Sequence, residues 1–172
     1  WSLSQMGGIR TNKRKVEVAS CVEEVCALME ESASRKNLTF RKSFDPRINV
    51  WADRDQLQVI LRNLIHNAIK FSAFNEVIEI RTDSDERYCH ITVSDSGMGM
   101  SAQEIEAIVD PKQYFSKTGT RQEKGTGLGL LLCKEFIGRN GGELNIKSAM
   151  GVGTEVSFNL LLAEHENTRV AV

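Results

Sequence analysis

The sequence is short of the features that mark several common classes of protein. Its 172 residues include two prolines and four cysteines, and 22 basic side chains stand against 23 acidic ones, giving a formal net charge of -1. That balance supplies no basic footprint, so we expect no nucleic-acid partner. The sequence also shows no signal peptide and no apolar run near the roughly 18 residues that a membrane-spanning helix needs. We therefore expect no membrane contact by this chain.

The four cysteines lack the spacing of a metal site or a redox motif. Cys21, Cys26, Cys89 and Cys133 form no CxxC pair and no cluster with histidine at zinc spacing. We interpret them as reduced thiols and expect a cytoplasmic domain. Because the chain begins at Trp1 rather than at a methionine, we interpret it as a piece of a longer protein. An inner-membrane anchor elsewhere in that protein stays open.

Hydrophobic periodicity predicts an α+β domain. The predicted strands are 14–18, 38–44, 48–51, 76–82, 88–94, 143–148 and 154–161, and the predicted helices are 20–36, 54–71, 101–109 and 128–139. Capping boxes, formed by Ser20 with Glu23 and by Ser101 with Glu104, are expected to open the first and third helices. This order indicates a two-layer α/β sandwich, in which helices cover one face of a mixed, mostly antiparallel sheet.

Three segments stand apart from this pattern. Residues 1–12 are interpreted as the remnant of an upstream helix with a linker, and residues 164–172 as a C-terminal tail. The folded domain is therefore predicted to span residues 13–163. Inside it, residues 110–126 are polar, rich in Lys, Gly and Thr, and without periodicity. A structureless segment of that length in a compact domain is typical of a functional lid.

One face of the second predicted helix carries two amides and an ammonium group. At 100° per residue, Asn63, Asn67 and Lys70 lie within ~60° of one another on the helix surface. The apolar stripe beside them consists of Leu57, Leu61, Leu64, Ala68 and Phe71. Amide oxygens suit Mg²⁺, and a lysine supplies a point charge for phosphate. The alternative is an ordinary solvated helix face.

Three glycine-bearing segments have the composition of a ligand site. Residues 95–99 (DSGMG) follow a strand, where the carboxylate of Asp95 can accept a hydrogen bond from an amine such as that of adenine. Residues 125–129 (GTGLG) open a helix, whose N–H groups and dipole favour phosphate. They match neither a P-loop nor a dinucleotide fingerprint. Residues 151–154 (GVGT) separate the last two strands. Taken alone, residues 95–99 are equally compatible with a strand-to-helix turn, residues 125–129 are weak evidence, and residues 151–154 are better explained as a hairpin turn.

In this order the segments resemble the histidine-kinase branch of an ATPase superfamily that also contains DNA gyrase, the heat-shock chaperones and the mismatch-repair ATPases. The boxes of that branch match residues 63–72 (N box), 95–99 (G1 box), 114–115 (F box), 125–129 (G2 box) and 151–154 (G3 box). The resemblance spans residues 16–162 and implies the Bergerat-type ATP-binding fold. It also implies ATP and Mg²⁺ as cofactors.

The resemblance also implies a role for each site residue. The residues implied in catalysis are Asn63, which would support the phosphates, and Lys70 and Lys117, which would contact them. Asn67 would coordinate Mg²⁺. Those implied around adenine are Asp95, which would bind the amine, Gly97 and Gly99, which would line the base pocket, and Thr154, which would reach the base through water. Those implied around the phosphates are Gly125, Thr126, Gly127, Leu128 and Gly129, with Phe115 at the lid.

Asn63 separates the branches of the superfamily. The ATP hydrolases that this helix resembles carry a glutamate at the matching position, where the carboxylate activates water as a general base. An amide has no usable proton affinity near neutrality, so this site is expected to hold ATP for transfer rather than for hydrolysis. The resemblance thus implies a histidine protein kinase whose acceptor histidine lies on a separate helical dimerisation domain.

None of His66, His90 and His165 has the helical context of that acceptor, so the chain alone is expected to bind ATP without autophosphorylation. Its expected partners are the helical domain of the same full-length protein and the receiver domain of a response regulator. The fragment itself is expected to be monomeric. The alternatives are an ATP hydrolase or serine kinase of the same superfamily, a nucleotide-binding module without catalysis, and an interaction domain whose glycines are only turns. ATP turnover and ADP binding distinguish them.

Overall fold

The structure is a computed structural model that describes residues 10–109, 119–120 and 128–164, except for the side chain of Val109. The strands are β1 (Arg14–Glu17), β2 (Thr39–Ser43), β3 (Asn49–Ala52), β4 (Val77–Ser84), β5 (Tyr88–Asp95), β6 (Leu144–Ala149) and β7 (Gly153–Leu161). The helices are α1 (Val18–Ser34), α2 (Arg54–Phe71), α3 (Ala102–Val109) and α4 (Gly129–Arg139). Every predicted helix and strand is present, and each end agrees with its prediction to within two residues.

The larger sheet has five strands in the order β2–β4–β5–β7–β6. β2 runs parallel to β4, whereas the other neighbouring strands are antiparallel. One face of its central strands is buried, through Ile78, Ile80, Cys89, Ile91, Val93, Val156, Phe158 and Leu160. These side chains share one core with apolar residues of α1, α2 and α4. The predicted α+β fold, with helices on one face of a mixed sheet, is therefore confirmed.

Helix α2 is the central helix of this layer and carries much of the core. Leu57, Leu61, Leu64 and Ala68 of the predicted stripe are buried, whereas Phe71 is only half-buried at the end of the helix. The helix begins after Asp53, whose side chain accepts hydrogen bonds from the N–H groups of residues 55 and 56. Burial along one side of α2 fixes its rotation, so the polar face with Asn63 and Asn67 is directed away from the core.

The prediction that Ser20 and Glu23 cap the first helix is wrong. Helix α1 begins two residues earlier, because β1 runs directly into it and buries Val18 in the first turn. The N–H of Val18 donates to the carbonyl of Ile48, which replaces a side-chain cap. Ser20 instead donates to Glu24 Oε1 at 3.1 Å. A tertiary contact has thus taken the place of the local signal.

The second predicted capping box, at the start of α3, is confirmed. The N–H of Ser101 donates to Glu104 Oε2 at 2.8 Å, and the N–H of Glu104 donates to Ser101 Oγ at 3.2 Å. This reciprocal pair satisfies two of the amide groups that a helix start leaves without intrahelical partners. Because α3 follows the 95–99 segment, the cap also fixes how the chain leaves that segment.

All four cysteines are free thiols inside the core. Burial raises the pKa of Cys26 to about 11 and the pKa of Cys89 and Cys133 to about 12. Such thiols stay protonated near neutrality and are poor nucleophiles. The cysteines therefore act as small apolar side chains.

Within the predicted remnant and linker (residues 1–12) and the predicted tail (residues 164–172), residues 1–9 and 165–172 lie outside the described residues, and the proposed domain bounds stay predictions. In the part of the chain that the structure describes, no helix combines the length and apolar character needed to cross a membrane.

Candidate functional site

The C-terminal half of α2 positions the predicted amide ligands. The Nδ2 group of Asn63 donates to the carbonyl of Val59 at 2.8 Å, which fixes the amide and directs its oxygen outward. That oxygen faces the start of α4, because a β-carbon added to Gly129 would lie 2.8 Å from Asn63 Oδ1. A side chain at position 129 would force the Asn63 amide to shift, so glycine suits this close approach of α4 to α2. The structure therefore brings two of the predicted residues, Asn63 and Gly129, together.

Lys70 lies in the last turn of α2 and is 4% exposed. Its Nζ group stands 4.7 Å from the centre of the Phe71 ring, at a cation–π distance. Asn67, one turn earlier, is half-buried. The predicted amide and ammonium groups therefore lie along one side of the helix, with the cation at its C-terminal end.

Asp95 ends β5 with its carboxylate held in a poorly solvated position. Burial raises its pKa to about 6, although the N–H groups of Gly97 and Thr154 donate to it and oppose the shift. The carboxylate of Glu76 adds a smaller upward effect on the pKa. The bond from Gly97 N–H to Asp95 Oδ1 measures 2.9 Å. A carboxylate in this state gains from a ligand that donates hydrogen bonds.

The 95–99 segment is fastened to two other parts of the predicted site. The N–H of Met98 donates to the carbonyl of Phe71 at 3.2 Å, and the carbonyl of Met98 accepts from Gly151 N–H at 2.9 Å. Gly99 has a φ of +64°, and a β-carbon there would overlap the carbonyl oxygen of Ala149. The end of α2, the 95–99 segment and the 149–153 turn thus pack against one another.

Ser148 joins the 149–153 turn and Thr154 to Met100, the residue after the 95–99 segment, and was missed by the sequence reasoning. Its Oγ lies 2.8 Å from Thr154 Oγ1 and 2.8 Å from the carbonyl oxygen of Gly153, and it accepts from the N–H of Met100 at 2.9 Å. A serine on an edge strand gives no signal in sequence, because its three partners come from two different segments.

A second residue that the sequence reasoning missed is Lys36, which follows α1 and is 2% exposed. Its Nζ donates to the carbonyls of Ile69, Lys70 and Ser72 at 2.8, 2.9 and 3.4 Å. It also donates to Thr120 Oγ1 at 2.6 Å. A cation at the negative end of a helix is stabilising. Lys36 therefore holds the last turn of α2 and one residue of the predicted lid.

Five of the predicted site residues lie outside the described residues, namely Phe115, Lys117, Gly125, Thr126 and Gly127. Their roles stay predictions. Leu128, the residue before α4, is half-buried, and its carbonyl accepts from Leu132 N–H at 2.9 Å. Among the described residues, Asn63, Asn67 and Lys70 lie on α2 with Gly129 against Asn63, and Asp95, Gly97, Gly99 and Thr154 lie around the end of β5.

The residues on α2 fit a magnesium ion in the presence of phosphate. The amide oxygen of Asn67, the predicted Mg²⁺ ligand, is a neutral, hard donor on the half-buried polar face of α2, one turn from Asn63. Magnesium in nucleotide sites takes few protein oxygens, because waters and phosphates fill the remaining positions. One or two amide oxygens are therefore a sufficient protein contribution.

Comparison with known proteins gives a family match over residues 52–164, to the model described as histidine kinase-, DNA gyrase B- and HSP90-like ATPase. The curated relatives include sensor protein SrrB of Staphylococcus aureus strain NCTC 8325, which is 28% identical over 154 residues. That alignment covers 89% of this chain and 26% of SrrB. The chain thus spans about a quarter of the length of the curated relatives that it matches.

Solved structures show the same fold. The catalytic domain of histidine kinase ThkA has a TM-score of 0.76 and 27% identity, and the match covers 87% of this chain and 95% of that one. Full-length ShkA, solved in complex with AMPPNP, has a TM-score of 0.76 and 22% identity, with 93% of this chain and 34% of ShkA covered. The similarity to ThkA extends over nearly all of a histidine kinase catalytic domain.

Proposed function

The chain belongs to the family of histidine kinase-, DNA gyrase B- and HSP90-like ATPases, and from that premise we propose that it is the ATP-binding catalytic domain of a sensor histidine kinase. The observation that carries the proposal is the half-buried carboxylate of Asp95, at the point where the end of α2, the 95–99 segment and the 149–153 turn pack together. An acceptor in that position suits the exocyclic amine of adenine. The glycines around it allow the base to approach the backbone.

The phosphate end of the proposed site lies along α2 and at the start of α4. The N-terminal end of α4 offers the N–H groups of its first turn and a positive dipole end, both suited to phosphate oxygens. Lys70 would supply a positive charge, Asn67 would supply an amide oxygen for the Mg²⁺ that accompanies ATP, and Asn63 would support the phosphates. Bound Mg²⁺ would neutralise charge on the phosphates. In this proposal the predicted residues 125–127 and Lys117 complete the enclosure.

The chemistry that these residues support is phosphoryl transfer without rapid hydrolysis. Phosphoryl transfer depends mainly on position and on stabilisation of charge, for which lysine, amide and backbone N–H groups are sufficient. Hydrolysis additionally needs a group that takes a proton from water. Asn63 cannot take it, and its Nδ2 group is already engaged with Val59. ATP would therefore be held until an acceptor reaches its terminal phosphate.

We place the acceptor histidine on a helical dimerisation domain outside this chain, with a response-regulator aspartate as the next recipient. The relatives support this placement, because sensor proteins such as SrrB are about four times the length matched here. In a complete kinase the γ-phosphoryl group would leave ADP for an imidazole nitrogen of that histidine. This chain would contribute the nucleotide, its orientation and the charge stabilisation.

Calorimetry with ADP and a non-hydrolysable ATP analogue, with and without Mg²⁺, tests the proposal. We expect binding that Mg²⁺ strengthens, and a loss of at least about tenfold in affinity for Asp95→Ala, since a base amine would lose its charged acceptor. Glu86→Ala is the matched control, because it removes an exposed carboxylate from the loop between β4 and β5.

The rate of ATP turnover distinguishes a site built for phosphoryl transfer from one built for ATP hydrolysis. With ATP and Mg²⁺ we expect no phosphate release above the spontaneous rate of the nucleotide. Steady hydrolysis would favour the ATPase branch instead. A folded sample that binds neither nucleotide would contradict the proposed site, and equal losses for Asp95→Ala and Glu86→Ala would contradict the assignment of Asp95.

A further inference from the structure

Ser148 lies in register with two residues of the proposed adenine site. On β6 it pairs with Thr154 of β7, and Thr154 in turn pairs with Asp95 of β5. Residues directly opposite each other on antiparallel strands present their side chains on the same face of a sheet. Ser148, Thr154 and Asp95 therefore form one row across three strands. The boxes of the family resemblance include Thr154 and Asp95 but not Ser148.

The contacts of Ser148 fix the direction of its hydroxyl proton. Its Oγ is close to three groups: the carbonyl of Gly153, the hydroxyl of Thr154 and the N–H of Met100. A hydroxyl carries one proton and two acceptor sites. The carbonyl can only accept and the N–H can only donate. All three contacts are hydrogen bonds only if Ser148 donates to Gly153, and accepts from both Met100 and Thr154.

This assignment engages the hydroxyl proton of Thr154 in the hydrogen bond to Ser148. Because Thr154 donates to Ser148, its Oγ1 has only lone pairs left for a ligand or a bridging water. Asp95 at the next position in the row is likewise an acceptor, and its contacts with the N–H groups of Gly97 and Thr154 keep it in place. The two side chains of the site that face the base edge would therefore both present acceptors.

We propose that Ser148 is a positioning residue that determines base specificity: by holding the Thr154 hydroxyl as an acceptor, it favours a purine with an amine at position 6 over one with a carbonyl. The inference rests on the proposed nucleotide site and deepens it. A 6-amino group donates to acceptors, whereas a 6-oxo group places its own lone pairs against them. Without Ser148, Thr154 is free to rotate and to donate, and the pocket then accepts the carbonyl more readily.

The test compares ADP with IDP, which carries the same sugar and phosphates but has a carbonyl at position 6 and an N–H in place of the N1 acceptor, so only the change in their ratio between variants is interpreted. Calorimetry in the presence of Mg²⁺ gives the ratio of the two affinities for each variant of the whole chain. For Ser148→Ala we expect the ADP preference to fall by about threefold to tenfold, the range of one neutral hydrogen bond. Ser148→Thr keeps a hydroxyl and is expected to retain the preference.

Two further variants show whether Ser148 acts through Thr154. In a Thr154→Val background, Ser148→Ala should leave the ADP-to-IDP ratio unchanged, because no Thr154 hydroxyl remains to be oriented. Ser157→Ala is the matched control. Ser157 lies on β7 three residues from Thr154, so its side chain is on the opposite face of the sheet. We expect this control to keep the preference of the unmodified chain.

The outcomes are distinct. If Ser148→Ala lowered the affinities for ADP and IDP by the same factor, Ser148 would only hold the turn in place. That result would overturn the inference and leave the proposed nucleotide site intact. The same conclusion would follow if Ser148→Ala still changed the ratio in the Thr154→Val background. If the folded, unmodified chain bound neither nucleotide, the proposed function itself would fall, and the inference with it. Circular dichroism of each variant checks that its fold is retained.

Discussion

The two ends of helix α2 differ in how their polar groups are used. At the N-terminal end, Asp53, Gln56 and Asn140 are all buried, yet their polar atoms are paired with one another or with neighbours. Asn140 accepts from Asp53 N–H at 2.8 Å, and donates to Gln56 Oε1 at 2.9 Å and to the carbonyl of Phe136 at 2.8 Å. Gln56 donates to Thr11 Oγ1, and Asp53 accepts from Asn12 N–H.

At the C-terminal end of α2, the buried polar groups have fewer hydrogen-bond partners. Asp95 beside it has a pKa raised to about 6 by burial. Among the described residues, the hydroxyl of Ser72, which is 0% exposed, has no hydrogen-bond partner. A buried polar atom left in this way costs about 1 to 3 kcal/mol. We therefore interpret the N-terminal end as an anchor that ties α2 to α4 and the incoming chain, and the C-terminal end as the binding end.

Lys36 is the exception that gives the binding end its stability, and its replacement should have the largest effect. For Lys36→Met we expect the free energy of unfolding to fall by about 3 to 4 kcal/mol, since the carbonyls of Ile69, Lys70 and Ser72 lose a charged donor. ADP affinity should also fall by about tenfold, because the turn with Lys70 is no longer held. Urea unfolding and calorimetry measure the two effects.

Lys15→Met is the control for this change, because Lys15 is exposed on β1. It should change stability by no more than about 0.5 kcal/mol. If Lys36→Met lowered stability but left ADP affinity unchanged, the contact with the last turn of α2 would serve the fold alone. The difference between the two ends would then be smaller than we infer.

Asn140→Ala should cause the next largest effect, and at the anchoring end alone. We expect a loss of about 2 to 3 kcal/mol in unfolding free energy, because the Asp53 N–H and the Gln56 Oε1 atom lose a buried partner. ADP affinity of the folded protein should remain within about twofold, since Asn140 lies at the C-terminal end of α4. A large loss of affinity would mean that the anchor is coupled to the site, and that the two ends do not act separately.

Sequence reasoning was most successful where chemistry is local. The α2 stripe, the Ser101–Glu104 box and the strand pattern follow from periodicity and from contacts within a few residues. The row of Asp95 and Thr154 was accessible only through the family resemblance, because the two residues are 59 positions apart in sequence but in register in the sheet. Those roles remain predictions until nucleotide binding is measured.

The parts that sequence could not predict depend on distant partners. Lys36 lies 33 to 84 positions along the chain from the groups that it contacts. Its neighbours in sequence therefore do not distinguish it from an ordinary surface lysine. The start of α1 was misplaced for the same reason: the carbonyl of Ile48 satisfies the first N–H of the helix, which a search for Ser or Thr caps does not consider. Tertiary contacts override local signals at both positions.

Asp95→Asn should have the smallest effect on stability. Unlike Lys36→Met and Asn140→Ala, it should raise the free energy of unfolding. In the folded chain the Asp95 pKa is about 6, against an ordinary value of 3.8. At pH 7.5 the carboxylate is ionised in both folded and unfolded chains, and only the folded chain bears the cost of burying the charge. The full pKa difference corresponds to about 3 kcal/mol, and partial exposure reduces the expected gain for Asp95→Asn to about 1 to 2 kcal/mol.

The pH dependence distinguishes this explanation from a simple repacking. As pH falls from 6 to 4, the folded chain takes up a proton on Asp95 before the unfolded chain does, so the burial cost is progressively removed. The advantage of Asp95→Asn in urea unfolding should therefore be complete above pH 7 and close to zero near pH 4. Glu86→Gln should show no such trend. An advantage that persists at pH 4 would mean that the charge is not the cause. Loss of ADP binding in the stabilised variant would show that the binding end gives up stability for function.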